Sequence, residues 1–88
     1  MGEGMDPAAV ERLSELLRFN AESWRHAGQE LRTLIGALSW KGPDAETFAN
    51  RGHEVSAHLM TVSDMLRQLA LALVEQAAEQ RRASSVVH

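Results

Sequence analysis

Apolar residues recur at alternating intervals of three and four over most of the first half of the chain. They fall at Val10, Leu13, Leu17, Trp24, Ala27, Leu31, Leu34 and Leu38, with Asn20 in the one polar slot of the row. This is the spacing by which one helix meets another along a seam. Leu16, Phe19, Ala21 and Ile35 lie beside the row and widen it. No proline interrupts the stretch, and Gly28 and Gly36 each weaken it by about 1 kcal/mol relative to alanine. Asp6 followed by Pro7 supplies an N-cap and a first helical residue. The pattern predicts a first helix over about 7–38.

A second row begins at Phe48 and continues through Gly52, Val55, Leu59, Val62, Leu66, Leu69 and Leu73, then turns polar at Gln76 and Gln80. Met60, Met65, Ala70, Leu71 and Val74 add apolar surface off that row. The spacing predicts a second helix over about 43–83, a frayed tail over 84–88 and a flexible start over residues 1–5. Between the helices, Ser39-Trp40-Lys41-Gly42-Pro43 predicts a turn over 39–43. Pro43 lacks an N–H and pushes Gly42 toward an extended conformation, yet suits the first position of the next helix. Asp44 and Glu46 then lie in the first turn, where carboxylates favour the helix dipole. So short a connection makes the two helices antiparallel neighbours. The expected fold is a single all-α domain over 1–88, an antiparallel helix-turn-helix hairpin.

Both stripes are wider than one facing helix can cover. Two hairpins packed as a four-helix bundle would use the remainder. At 88 residues without cysteine, the chain has neither a disulfide framework nor thiolate metal ligands to supplement its packing. The expectation is therefore a dimer whose core or dimer seam is formed by Leu13, Leu17, Trp24, Leu31, Leu34, Leu38, Phe48, Val55, Leu59, Val62, Leu66, Leu69 and Leu73. Trp24, by its spacing, is expected in the core.

The net charge of −3, from nine basic and twelve acidic residues, argues against nucleic acid as a partner. The longest apolar run, Leu69 to Val74, has six residues, far short of a membrane span. Acidic residues interspersed on both helices disfavour a membrane-surface role for Trp24 and the basic side chains. Met1 to Val10 contains Glu3 and Asp6 and no apolar segment, so export, if it occurs, is expected without a conventional leader.

The candidate chemistry is sparse. His53 and His58 are five apart, whereas a helical metal pair needs a spacing of three or four, so His26, His53, His58 and His88 read as solvated side chains. No phosphate loop or nucleophile elbow is present, and neither catalysis, a cofactor nor a metal is expected. Met60 and Met65 read as gap-fillers of a core or interface. Arg81 and Arg82 complement the dipole at the end of the second helix. Trp40, taken physically, caps one end of a bundle and buries over ~150 Å².

The stretch Leu38-Ser39-Trp40-Lys41-Gly42-Pro43-Asp44-Ala45-Glu46-Thr47-Phe48 resembles the central motif of the WXG family, the Trp-X-Gly, ESAT-like substrates of type VII (ESX-like) secretion. The likeness extends to the length, the hairpin layout and the absence of cysteine. It implies an antiparallel dimer of hairpins, either a homodimer or a heterodimer with another WXG-type protein. Such a dimer is made in the cytoplasm and secreted folded, without a signal peptide. It implies further that Trp40 and Gly42 form the turn half of a composite element read by the secretion machinery, including its membrane ATPase. The tail half departs from the family pattern of Tyr-X-X-X-acidic. Gln80 falls near the tyrosine position and Ser84 near the acidic one, and the chain has no tyrosine. The chain is then either the signal-less member of a heterodimer, or a divergent homodimer using other contacts or not exported. The alternative is a cytoplasmic helical adaptor or scaffold dimer unrelated to secretion, in which Trp40 only caps the bundle.

Overall fold

A computed structural model describes residues 6–87, with side chains through residue 85. The start over 1–5 and the terminal His88 lie outside the described residues. Two helices, α1 (Pro7–Ala37, 31 residues) and α2 (Pro43–Val87, 45 residues), pack against each other as a hairpin 70 × 16 × 15 Å in extent.

Local chemistry explains both ends of α1. Asp6 is extended, and its Oδ1 accepts from the Ala8 N–H at 3.2 Å, with Pro7 at the first helical position. The helix stops at Ala37, where extended Leu38 becomes the C-cap and donates its N–H to the Ile35 carbonyl at 3.2 Å. The expected push of Gly42 toward extended backbone is not what the turn uses. Gly42 sits at φ 111, a region that a Cβ makes costly, and its carbonyl accepts from the Glu46 N–H at 3.0 Å to start α2. α2 then runs to Val87, past the point where the apolar pattern ends, so residues 84–87 are helical and not frayed. The four residues beyond the expected end, Ser84, Ser85, Val86 and Val87, extend a helix that is already nucleated, where each further residue adds one backbone hydrogen bond.

The helices meet on a different stripe from the one that their largest side chains mark. Buried on α1 are Val10, Ser14, Ala21, Gly28 and Ile35; on α2 they are Ser56, Ser63, Ala70 and Ala77. Apart from Val10, each set advances in steps of seven, one stripe on each helix. Nearly all are small, so the backbones approach closely. The Ser56 hydroxyl donates to the Gly28 carbonyl and the Ser63 hydroxyl to the Ala21 carbonyl, both at 2.8 Å and both buried. These two bonds, one heptad apart, fix the register of α2 against α1. A Cβ at position 28 would stand 3.2 Å from the Ser56 carbonyl oxygen and 3.3 Å from Leu59 Cβ. The glycine that weakens α1 in isolation is therefore what lets α2 in.

None of the thirteen residues expected in the core or dimer seam is buried within the hairpin. Leu17, Leu31, Leu59, Leu66 and Leu73 are half-buried beside the small-residue stripe. Leu13, Leu34, Leu38, Phe48, Val55, Val62 and Leu69 are exposed. Trp24, expected in the core, is 42% exposed. Two helices touch first where side chains are smallest, and large residues on the adjoining rows are left to splay outward.

Candidate interaction surfaces

The small-residue stripe divides the hairpin into two broad sides. One side is identified by its cross-helix contacts. Arg67 Nη2 donates to Glu22 Oε2 at 2.8 Å. Arg81 donates through Nε and Nη2 to the two oxygens of Glu11, at 3.2 and 2.8 Å. That hydrogen bond, and then the charge of Glu11, raises the Arg81 pKa above its ordinary value. Both pairs are well exposed, and such pairs add little stability. A groove of about 660 Å³ opens beside them, lined by Arg18, Phe19, Glu22, Arg67, Ala70, Leu71 and Val74.

The opposite side carries the expected seam residues. Positions seven apart share a row, so Val10, Leu17, Trp24 and Leu31 form one row of α1, with the C-cap Leu38 just past its end, and Leu13, Asn20, Ala27 and Leu34 form the next. On α2 the matching rows are Gly52, Leu59, Leu66 and Leu73, and Phe48, Val55, Val62 and Leu69. None of these positions carries a charge, and Asn20 is the one polar side chain among them. Asn20 turns inward on its own helix, its Nδ2 donating to the Leu16 carbonyl at 2.9 Å. Eight large side chains are exposed here (Leu13, Trp24, Leu34, Leu38, Phe48, Val55, Val62 and Leu69). A contiguous apolar face of this kind is the surface feature that ordinarily marks an interaction site.

At the turn end, Trp40 is 53% exposed and its ring leans on Phe48, with centroids 5.7 Å apart and planes tilted by 52°. Ile35, Leu38, Trp40, Lys41, Gly42, Ala45, Glu46 and Ala49 line a shallow hollow of about 330 Å³. Trp40 thus leans on the hairpin through Phe48 and still presents half its surface. Gly42 holds the backbone reversal that places it there.

Of the other residues weighed in the sequence, His26 lies 3.7 Å from Glu30 on one exposed helix face. Among the described residues, no group of three or more His, Asp or Glu side chains is placed to hold a metal ion. Arg82 pairs with Glu79 one turn back, and Arg81 crosses to α1. Met65 is exposed and Met60 half-buried against Gly28. No helix among the described residues is long and apolar enough to cross a membrane. What the pattern reading passed over is the small-residue stripe itself. Its signal was present as Ser14-Ala21-Gly28-Ile35 and Ala49-Ser56-Ser63-Ala70-Ala77, each in strict sevens. No protein-family model, curated protein or solved structure matches the chain.

Proposed function

We propose that the chain is a WXG-like hairpin that serves type VII secretion as a substrate or co-secreted partner, acting by dimerisation and docking. The observation that carries this reading is the uncharged apolar face spanning both helices, whose large side chains stand exposed on the hairpin alone. A second hairpin laid across that face, whether another copy or a WXG-type partner, gives a four-helix bundle and covers them. Two features of the turn favour the family likeness over a chance triplet. Gly42 occupies a backbone conformation that favours glycine, and Trp40 keeps half its surface free for a receptor such as the secretion ATPase.

A second reading has its own support. The Trp40–Phe48 contact gives the tryptophan a structural use, as in a helical adaptor with no link to secretion. Two measurements test the proposal. Light scattering at micromolar concentration should find a dimer, or a heterodimer on co-expression with its partner; a stable folded monomer in both settings counts against it. Secretion of the chain by a host with a type VII apparatus should fall on Trp40→Ala, whereas the adaptor reading predicts no export to lose.

A further inference from the structure

The side opposite the apolar face carries an arrangement that dimerisation leaves open. Arg18, Arg25 and Arg32 stand seven apart on one row of α1, roughly 10 Å between neighbours at 1.5 Å rise per residue. None has an ion-pair partner among the described residues, whereas Arg67 and Arg81 on the same side are engaged by Glu22 and Glu11. Glu15 and Asp64 are also on this side, and neither is within ion-pair distance of the row. Beside Arg18, the groove between the helices has an apolar lining in Phe19, Leu71 and Val74, with Phe19 71% and Leu71 60% exposed.

We infer that this side receives an acidic amphipathic helix from a partner protein, with carboxylates seven apart meeting Arg18, Arg25 and Arg32 and an apolar residue seated against Phe19, Leu71 and Val74. The charge and the period select this occupant. A guanidinium row repeating every seventh residue is matched in period by another helix lying along α1, whose carboxylates at the same period reach all three at once while its adjoining apolar row meets the groove. A second copy of the chain does not fit, because no three of its twelve acidic residues are seven apart in series. A polyanion such as RNA or an anionic membrane is a poorer match, since Glu15, Glu22 and Asp64 interrupt the positive field. The inference does not depend on export.

The test is fluorescence anisotropy with a labelled synthetic helical peptide bearing three glutamates seven apart and leucines on the adjoining rows. The full chain should bind it in the micromolar range, more weakly as salt rises. The triple variant Arg18→Gln/Arg25→Gln/Arg32→Gln should lose about tenfold in affinity, the scale of three exposed charge pairs. A peptide with its glutamates changed to glutamine should lose as much and be indifferent to the arginine changes. Phe19→Ala should weaken binding without altering the salt dependence. Circular dichroism and light scattering on each variant check that fold and association are intact, which keeps this result distinct from any failure of the dimer. Absence of binding, equal binding of the glutamine peptide, or preference for phosphatidylglycerol vesicles or RNA over the peptide would each overturn the inference.

Discussion

The same substitution made at two glycines of α1 should act in opposite directions. At Gly36 nothing lies within 4 Å of the space a Cβ would take, so Gly36→Ala adds helix propensity alone. Position 36 is the next-to-last residue of α1, so the gain is smaller than the interior value of about 1 kcal/mol and Tm rises by a few degrees. Gly28→Ala, in the interior of the helix, gains the full propensity of about 1 kcal/mol and meets α2. Its Cβ would stand 3.2 Å from the Ser56 carbonyl oxygen, 3.3 Å from Leu59 Cβ and 3.3 Å from Met60 Sδ. Only the methionine sulfur belongs to a flexible end. Parting the helices to relieve the other two contacts also lengthens the 2.8 Å bond from the Ser56 hydroxyl to the Gly28 carbonyl. Overpacking of this kind costs about 1–3 kcal/mol and the hydrogen bond contributes about 1. The net effect is a loss of about 1–3 kcal/mol, and Tm falls. Thermal melts followed by helical circular dichroism decide the matter, run at one protein concentration because association raises apparent stability. Equal stabilisation by both alanines would refute the claim that the helices meet at Gly28.

Other outcomes follow from the turn and the two sides. Gly42→Ala should destabilise the hairpin by about 1–2 kcal/mol in denaturant titration, because φ 111 is strained for any residue with a Cβ; an unchanged midpoint would mean that the turn relaxes freely. Val62→Glu combined with Leu69→Glu should convert the proposed dimer to monomer by light scattering, and a dimer that persists would place the interface elsewhere. Trp40→Ala should lose about 0.5–1.5 kcal/mol with the Phe48 contact while reducing export by far more, so normal secretion of the folded variant contradicts the docking role. Arg81→Gln should leave the unfolding midpoint unchanged, since its pair with Glu11 is exposed.

The hairpin was legible because its punctuation is strong. Asp6-Pro7 opens α1 and Gly42-Pro43 separates the helices, and both act where the residues predict. The end of α2 was less legible, because Ser84, Ser85, Val86 and Val87 are indifferent helix formers, yet no glycine or proline among them stops the helix. The rows that the large side chains mark and the stripe at which the two helices meet differ for a definite reason. Periodicity weighted by side-chain size follows Leu17, Trp24 and Leu66, whereas contact between two helices is decided by what permits close approach. Ser56 and Ser63 are polar by composition, yet each satisfies its hydroxyl on a carbonyl of α1 and so becomes buried seam. The positive φ of Gly42 was likewise hidden behind Pro43, whose own preference pointed to extended backbone. Arg18, Arg25 and Arg32 are visible as a row in the sequence. That they go unpaired while Arg67 and Arg81 do not required the cross-helix geometry.

The seam of Ala, Ser and Gly has a consequence for how such a protein can change over time. Residues that hold the hairpin and residues that would meet a partner occupy separate rows of the same helices. Substitutions among Leu13, Leu34, Val55, Val62 and Leu69 can alter the shape offered to another chain while the buried register set by Ser56 and Ser63 stays as it is. The two layers are free to drift at different rates. A duplicated copy could acquire a new pairing preference in a few steps without passing through an unfolded intermediate.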